Sequence, residues 1–355
     1  MIISELKHCA LSILLVFFVC CQGCADRPPE SDSSQKTEVS ASHTVPTVQS
    51  IAPTTGTSRR IKISEDQETP QISQPIVEKV GNFLSQTEYF TLPSQRFPDS
   101  ISAVSLPKGY DKNPKATYPM VIAFGGAGEC SRSPRDGALA WVSYYKSDEA
   151  ARALGSNKLT ASDFRNLVTQ EQLDTFNKKL RKDPYKGVIL VCPYSPLLRG
   201  HSGLDSPEYE DYIMKELIPA LQQHYRVDVS RIGVDGVSMG GARSMYYGFK
   251  YPETFRRIGS VQAAVAPFMD VYSRLIETNR DKIRKCSIQV VSSDGDVFLK
   301  SVEKFSSMLN SMKIPNSLLI LKGPHDYIFN QGPGSLALLA FHGSSAKNPT
   351  QGPVR

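Results

Sequence analysis

Short apolar runs alternate with amphipathic stretches through the middle and C-terminal parts of the chain. The apolar runs are typical of strands buried on both faces of a sheet, and they lie at 118–124, 187–192, 231–235, 258–266, 287–291 and 317–321. Apolar residues recur at helical spacing at 207–225, 239–249 and 298–312. Segments 86–92 and 100–106 alternate polar and apolar residues, as antiparallel strands do. This order predicts an α/β fold, a doubly wound and mostly parallel sheet with helices on both faces.

The N-terminus carries a different pattern, an apolar run at 9–20. This run of about a dozen residues is shorter than the ~20 that a membrane-spanning helix needs, and it fits the apolar region of a secretory signal. It leads into CQGC at 21–24, which resembles the lipobox of bacterial lipoproteins and implies cleavage before Cys24 and diacylation of its sulfur. We therefore predict a signal peptide at 1–23 and export to the cell envelope as a membrane-anchored lipoprotein. A plain signal peptide, giving a secreted or periplasmic protein, and an uncleaved anchor are the alternatives.

The segment at 24–82 has no aromatic residue and is dense in Ser, Thr, Pro and Gln. Such a chain buries too little apolar area to offset the entropy cost of ordering it, so we predict a disordered tether. The tether would hold a folded domain at 83–342 away from the membrane surface while keeping it local. Residues 343–355 are expected to form a polar tail.

The charge balance argues against nucleic acid as a partner. Lys and Arg exceed Asp and Glu by 41 − 35 = +6, and the basic residues are scattered along the chain rather than clustered. A weak, dispersed surplus of this kind affects solubility more than it indicates a polyanionic ligand.

The candidate chemistry centres on GVSMGG at 236–241, a G-x-S-x-G motif with one further glycine. The motif lies between a predicted strand and a predicted helix, which is the context of a nucleophile elbow. Ser238 would project its hydroxyl from the N-terminal end of the helix, where the helix dipole and the Met239 N–H favour a developing oxyanion. The alternative is a chance match at a small-residue turn, which would not require a strand before it and a helix after it.

A second glycine-rich loop, GGAG at 125–128, follows the predicted strand 118–124. In α/β-hydrolases the loop at this place supplies the second N–H of the oxyanion hole. Gly126 or Ala127 would be the donor, and the sequence alone does not separate them. An ordinary glycine turn at a strand end is the alternative interpretation.

A serine nucleophile needs a base, and the base needs a carboxylate that fixes its tautomer. The chain order in α/β-hydrolases is Ser, then Asp or Glu, then His, and His325 and His342 are the histidines that follow Ser238. We predict His325 as the base because it directly follows a strand, whereas His342 is expected in the polar tail after the last helix. His201 and His224 precede the serine.

The acid is expected in the loop after the strand 287–291. Asp296 is preferred over Asp294 because it directly precedes the apolar residues that lead into the next helix. Whichever of the two is not the acid would serve as a turn residue or a helix cap. Asp326 ranks third, since a residue adjacent to His325 points elsewhere in most backbone conformations.

Taken together, these segments resemble one family of esterases. The matching pieces are VSLPKGYD at 104–111, YPMVIAFGGAG at 118–128, KELIPALQQHYRVD at 215–228 and RIGVDGVSMGG at 231–241, followed by the final Asp and Gly-x-His. The family includes esterase D (S-formylglutathione hydrolase), feruloyl esterases and the mycobacterial antigen 85 acyltransferases. The resemblance covers about 92–329 and implies an α/β-hydrolase fold with Ser238, Asp296 and His325 as the triad. The chain departs from many members in having Phe-Gly-Gly at 124–126 where they have His-Gly.

Segment 129–183 matches no subgroup of that family. It contains predicted helices at 139–145 and 169–182 and the only tryptophan, Trp141. An insertion at this point of the fold commonly covers the pocket, so one interpretation is a lid or substrate-binding cap. The other is a helix packed against the sheet edge, with Trp141 in the core.

The expected function is that of a serine carboxylesterase working through an acyl-enzyme, with no metal and no cofactor. Its partners would be a small-molecule or polysaccharide-linked ester and, through Cys24, a membrane. A peptidase of the prolyl-oligopeptidase type and an acyltransferase are alternatives that use the same fold and triad order. A noncatalytic surface binding protein is the remaining one, although it would have no use for an intact Ser, Asp and His.

Overall fold

A nine-stranded sheet forms the centre of the computed structural model, which describes residues 73–197 and 204–345. The strands are β1 Ile76–Val80, β2 Gln86–Thr91, β3 Ile101–Leu106, β4 Tyr118–Phe124, β5 Ile189–Pro193, β6 Val227–Gly236, β7 Arg257–Val261, β8 Ser287–Gly295 and β9 Ser317–Pro324. Their order across the sheet is β1-β2-β3-β5-β4-β6-β7-β8-β9. The predicted signal peptide at 1–23, Cys24, most of the predicted tether, His201 and most of the predicted tail lie outside the described residues.

Strands β4 to β9 run parallel to one another, and β1, β2 and β3 form an antiparallel edge beside β5. The mostly parallel sheet predicted from the apolar pattern is therefore confirmed. The carboxyl ends of parallel strands meet at one edge of a sheet, which is where ligands bind in folds of this kind. The loops after β4, β6, β8 and β9 all leave the sheet at that edge, and these loops carry the predicted site residues.

Helical segments connect the strands and cover the sheet. They are Tyr110–Lys112, Ala127–Cys130, Pro134–Ala138, Ala140–Tyr144, Ser147–Leu154, Gln170–Lys182, Pro207–Asp211, Tyr212–Leu217, Ile218–His224, Met239–Lys250, Ala266–Phe268, Met269–Ile283, Leu299–Ser311, Tyr327–Phe329, Asn330–Gly334 and Ser335–Gly343. The three segments from 207 to 224 follow one another without a break and form the predicted crossover helix. Gln170–Lys182 begins with a capping box in which Thr169 and Gln172 satisfy each other's backbone N–H.

The two largest core clusters lie on opposite faces of the sheet, because successive residues of β4 point to opposite faces. Ile122 and Phe124 belong to the first cluster, whereas Val121 and Ala123 belong to the second. The first cluster packs the helices 207–224, 239–250, 269–283 and 299–311 against the sheet, through side chains that include Tyr212, Met245, Tyr272 and Phe305. The second packs the helices between 140 and 182 and the last helix, through Trp141, Leu154, Leu173, Leu180 and Leu336.

These contacts bear on the segment 129–183. Trp141 is 1% exposed, and its indole N–H donates to the carbonyl of Phe124 at 3.3 Å. The segment's helices therefore cover a face of the sheet, as the packed-helix interpretation expects, and Trp141 is a core residue.

Two predictions are wrong, one on where the folded part begins and one on where His342 lies. Strand β1 lies inside the segment predicted as tether, so the folded part begins before residue 83. Its sequence IVEKV has no period-two pattern and is mostly exposed, and it is held by backbone pairing to β2, which sequence patterning does not reveal. His342 does not lie in a polar tail: it is buried on the last helix, Ser335–Gly343. No helix within residues 73–197 and 204–345 is long and apolar enough to cross a membrane.

Candidate active site

Ser238 lies on a strained turn between β6 and the helix Met239–Lys250. Its backbone has φ 56° and ψ −115°, a left-handed conformation that costs free energy for a residue with a side chain. Three backbone hydrogen bonds hold it there. The Ser238 N–H donates to the Val261 carbonyl at 2.9 Å, and the Ser238 carbonyl accepts from the N–H groups of Ala264 at 3.0 Å and Ala242 at 3.1 Å. A turn of small residues without a catalytic role would not require this conformation.

The glycines of the motif are required by close approach of the backbone. A Cβ on Gly236 would lie 2.3 Å from the Gly240 carbonyl oxygen, and a Cβ on Gly240 would lie 2.5 Å from the carbonyl oxygens of Phe124 and Gly125. No side chain fits at such distances, so the turn closes only with glycine at both places. The Ser238 side chain is left partly exposed at the carboxyl edge of the sheet.

Asp296 and His325 meet because their strands are paired in register. Gly295 of β8 is paired with Pro324 of β9, so the residues that follow them leave the sheet side by side. The Nδ1 atom of His325 lies 2.9 Å from Oδ1 of Asp296. A carboxylate at that nitrogen favours the tautomer with hydrogen on Nδ1, which leaves Nε2 as an acceptor.

The Asp296 carboxylate is fixed by further donors. Ser292 donates its hydroxyl to Oδ2 at 2.6 Å, and the Phe298 N–H donates to Oδ1 at 2.9 Å. The Phe298 ring also packs edge-on against the imidazole of His325, with 5.1 Å between ring centroids. The Asp296 side chain is 0% exposed and that of His325 is 13% exposed, so the acid is sealed from solvent while the imidazole reaches the surface of the site.

The other candidate carboxylates have different partners. Asp294 accepts from the Gly323 N–H at 3.0 Å, which joins the ends of β8 and β9. Asp326 caps the short helix Tyr327–Phe329 by accepting from the Phe329 N–H at 2.9 Å. The structure therefore brings Asp296, and neither of these two, against His325.

The loop GGAG at 125–128 lies beside the Ser238 turn because β4 and β6 are neighbouring parallel strands. The Val237 N–H donates to the Phe124 carbonyl at 3.3 Å, which joins the two loops directly. The Gly126 N–H donates to the hydroxyl of Tyr145 at 3.0 Å, so it is already committed. Ala127 is the first residue of the helix Ala127–Cys130, and a residue in that position has no acceptor one turn earlier. Of the two candidates that the sequence left open, Ala127 is thus the one whose N–H has no intrahelical acceptor and Gly126 the one whose N–H is bound to Tyr145.

Met239 occupies the corresponding position in the helix after Ser238, so its N–H likewise has no acceptor within that helix. These N–H groups of Met239 and Ala127 lie at adjacent loops at the carboxyl edge of the sheet. Two N–H donors in such a place are suited to an oxyanion.

Gln262 is a residue beside the predicted site whose contacts sequence patterning does not reveal. It follows β7 in a left-handed conformation with φ 46°, and its side chain is buried. Its amide nitrogen donates to the Ser293 hydroxyl at 2.7 Å and to the Pro324 carbonyl at 2.9 Å, which ties the residue after β7 to the carboxyl ends of β8 and β9. The available signal was a polar residue directly after a buried strand. Within residues 73–197 and 204–345, no group of three or more His, Cys, Asp or Glu side chains is arranged to hold a metal ion.

The sequence matches a known protein family, and the fold matches solved structures. Residues 94–296, more than half of the chain, match the family described as "Putative esterase". No curated protein sequence matches. Among solved structures the chain is similar to a ferulic acid esterase, with a TM-score of 0.56 and 18% identity over 74% of this chain and 99% of that one. It is also similar to an S-formylglutathione hydrolase from Agrobacterium tumefaciens, with a TM-score of 0.50 and 18% identity over 76% of this chain and 98% of that one.

At these identities the solved structures establish the fold, and the family match extends over the strands and loops that carry Ala127, Ser238 and Asp296. The chain therefore belongs to this esterase family of α/β-hydrolases, and it is a serine hydrolase of the carboxylic ester class.

Proposed function

We propose that Ser238, His325 and Asp296 form the catalytic triad of a carboxylesterase that works through an acyl-enzyme. The observation that carries this proposal is the 2.9 Å contact between His325 and a fully buried Asp296, at the sheet edge where Ser238 stands on its strained turn. A serine hydroxyl is a weak nucleophile near neutral pH, and an imidazole with a free Nε2 is the group that activates it.

The reaction follows from these roles. Nε2 of His325 takes the proton of Ser238 as the oxygen attacks the ester carbonyl, and Asp296 stabilises the imidazolium that forms. The imidazolium returns that proton to the leaving alcohol as the carbon–oxygen bond breaks, which gives the acyl-enzyme and the free alcohol. Water then attacks the acyl-enzyme with the same base, releasing the acid and restoring Ser238.

The oxyanion of each tetrahedral intermediate would be bound by the N–H groups of Met239 and Ala127. Both donors are fixed by backbone structure before the substrate arrives, so they do not have to reorganise as charge develops. The Gly126 N–H, which was the other candidate, supports the loop through Tyr145 instead.

For the substrate we propose an ester of a small carboxylic acid, free or linked to a polysaccharide. The similarity to a ferulic acid esterase makes hydroxycinnamate esters the first compounds to test, and the similarity to an S-formylglutathione hydrolase makes small thioesters the second. If this protein hydrolyses hydroxycinnamate esters but not small thioesters, or the reverse, the result would indicate the size of acyl group that its pocket accepts.

The test uses the full-length protein, a fluorophosphonate probe and p-nitrophenyl acetate, with methyl ferulate assayed in parallel. We expect wild type to label and turn over, Ser238→Ala to abolish both, and His325→Ala to slow both by about 10³-fold or more. His224→Ala is the matched control, because His224 is exposed on the crossover helix and should leave both rates unchanged. A folded wild-type protein that neither labels nor hydrolyses would support the binding-protein alternative.

Two further assays separate the remaining alternatives. Cleavage of aminoacyl p-nitroanilides in preference to p-nitrophenyl esters would support a peptidase. Partitioning of the acyl group to an added alcohol, in competition with water, would support an acyltransferase.

We also propose that the protein is exported and held at the membrane by a lipid on Cys24. Support comes from the apolar run at 9–20 and the CQGC sequence that follows it. Expression with an alkyne-labelled fatty acid should label wild type and place it in the membrane fraction, and Cys24→Ala should lose both properties. Cys21→Ala is the matched control and should keep them, whereas a soluble, unlabelled wild type would favour the plain signal peptide.

A further inference from the structure

A buried carboxylate, Glu129, lies between the loop at 125–128 and the loop that carries His325. Glu129 is 3% exposed and stands on the short helix Ala127–Cys130, directly after the loop that supplies the Ala127 N–H. Burying a carboxylate costs free energy unless hydrogen-bond donors satisfy it, so the donors around Glu129 indicate its role.

Both carboxylate oxygens of Glu129 accept a tyrosine hydroxyl. Tyr145 donates to Oε2 in a short hydrogen bond, and the same Tyr145 oxygen accepts the Gly126 N–H at 3.0 Å. Tyr327 donates to Oε1 at 2.6 Å, and it follows His325 by only two positions. A continuous chain of hydrogen bonds thus runs from the Gly126 N–H through Tyr145 and Glu129 to Tyr327.

We propose that Glu129 is a positioning residue that holds the oxyanion loop and the histidine loop in one fixed arrangement. The inference rests on the proposed function of those loops. Glu129 does not touch the reacting atoms; it acts through Tyr145 on the backbone next to Ala127 and through Tyr327 on the backbone next to His325.

The packing around Gly126 supports a fixed loop. A Cβ on Gly126 would lie 3.2 Å from the Tyr145 hydroxyl oxygen and 3.3 Å from Oε2 of Glu129. The tyrosine and the carboxylate therefore rest directly against the backbone of this residue. Because the Gly126 N–H is held by Tyr145, the orientation of the peptide unit before Gly126 is set. The extended backbone of Gly126, with φ −75° and ψ 179°, then places the Ala127 N–H relative to that unit.

The two tyrosine hydroxyls also disperse the negative charge of Glu129. A carboxylate near a site where an oxyanion develops would oppose that oxyanion unless its charge were dispersed over donors. Burial raises the pKa of both Tyr145 and Tyr327, and the Glu129 charge raises each further, so both phenols keep the protons they donate. The Arg132 guanidinium lies 4.2 Å above the Tyr144 ring and also interacts with Tyr327 and Glu129, which adds a positive charge on the solvent side.

The test removes the two ends of the chain singly and together. Tyr145→Phe breaks the link to Gly126, and Tyr327→Phe breaks the link to the histidine loop. We expect each to lower kcat for p-nitrophenyl acetate by about 10-fold or more, with KM changed by less than about 3-fold, because an oxyanion donor acts mainly in the transition state. If Glu129 couples the two loops, the double variant should lose little more than the worse single variant.

Glu129→Gln is the third variant, and it keeps the volume while replacing one acceptor by a donor. We expect its kcat to fall as well, and its rate of labelling by the fluorophosphonate to fall in the same proportion, since that reaction also passes through a negatively charged oxygen. Tyr327 is only partly buried, so Tyr327→Phe keeps the test possible if either of the other variants folds poorly.

A matched pair elsewhere in the chain controls for loss of a buried tyrosine–glutamate hydrogen bond. Tyr225 donates to Oε1 of Glu88 at 2.6 Å, and both residues are buried. Tyr225 lies two residues before the start of β6, whereas Ser238 follows its end. Tyr225→Phe and Glu88→Gln should lower the unfolding temperature as the site variants do, but leave kcat unchanged.

The outcomes separate this inference from the function on which it rests. A wild type that neither labels nor turns over overturns the triad proposal and this inference together. An active wild type whose Tyr145, Tyr327 and Glu129 variants keep kcat within about 2-fold, or lose it additively, overturns the inference and leaves the triad standing.

Discussion

Oδ2 of Asp235 lies 3.0 Å from Nε2 of His342, and both side chains are buried. Asp235 is a residue of β6 directly before the GVSMGG motif, and its Oδ1 accepts the Gly236 N–H at 2.7 Å. His342 belongs to the last helix and packs closely on the backbone of Gly233. The pair therefore joins the final helix to the strand that carries Ser238. His342, the second histidine after Ser238 in the chain, therefore has a structural role.

This pair should make the stability of the protein depend on pH. Burial lowers the pKa of His342, and the nearby Arg257 lowers it further, against the opposing effect of Asp235. As pH falls through about 6.5, the unfolded chain therefore binds a proton that the folded protein does not, and the free energy of unfolding falls. We therefore expect the contribution of His342 to the free energy of unfolding to fall between pH 7.5 and 5.5, opposed by Asp235, whose pKa is raised by burial.

Urea unfolding of wild type and His342→Gln at several pH values measures this effect. The amide nitrogen of Gln can replace Nε2 as a donor to Asp235 but does not titrate, so the variant should show a smaller loss between pH 7.5 and 5.5. His224→Gln is the matched control, since His224 is exposed and should leave the pH dependence as in wild type. Equal pH dependence in wild type and His342→Gln would contradict the assignment.

Asp296→Asn tests the choice of acid. Asn at 296 can no longer hold His325 in the tautomer that leaves Nε2 free, so kcat should fall by about 10⁴-fold while the fold is kept. Asp294→Asn is the matched control: its side-chain oxygen can still accept from the Gly323 N–H, and kcat should stay within a few-fold of wild type. A larger loss in the Asp294 variant than in the Asp296 variant would reverse the assignment.

The sequence was sufficient for the fold and for the residues at the ends of the strands. A buried parallel strand is recognisable in the sequence as an apolar run. Ser238, Asp296 and His325 each follow such a run directly or after a few residues. The order of these residues along the chain then limits the arrangement to very few possibilities.

Features that depend on contacts between distant segments could not be predicted in this way. The hydrogen bond from the Gly126 N–H to Tyr145 joins residues 19 positions apart, and the hydrogen bond from Tyr327 to Glu129 joins residues 198 positions apart. His342 was misplaced for the same reason, because its partner Asp235 lies 107 positions earlier. Strand β1 was not predicted because it has no alternating apolar pattern; backbone hydrogen bonds to β2 hold it in the sheet.

A buried ion pair offers a further prediction, on stability. Arg243, on the helix after Ser238, lies 2.7 Å from Oδ1 of Asp205, and the two side chains are 0% and 1% exposed. Arg243→Met would leave the Asp205 charge buried without its partner, so we expect a loss of about 3–5 kcal/mol in the free energy of unfolding. Arg243→Met combined with Asp205→Leu should recover much of that loss, because an apolar pair of similar volume carries no buried charge. Chemical denaturation of the three proteins measures both effects, and a double variant less stable than Arg243→Met would contradict this account.

Ala127→Pro tests the oxyanion donor with little disturbance of the backbone. Proline lacks an N–H but is well tolerated at the first position of a helix, which is the position of Ala127. The residue before a proline must be extended, and Gly126 already is, with φ −75° and ψ 179°. We therefore expect the variant to fold with an unfolding temperature near that of wild type, while kcat for p-nitrophenyl acetate falls by about 10²–10³-fold. Gln170→Pro is the matched control, since Gln170 begins the helix Gln170–Lys182 after an extended Thr169 with φ −80° and ψ 160°, away from the predicted site residues. If Ala127→Pro keeps its kcat, the second oxyanion donor is not the Ala127 N–H, and the Gly126 N–H would have to leave Tyr145 to serve in its place.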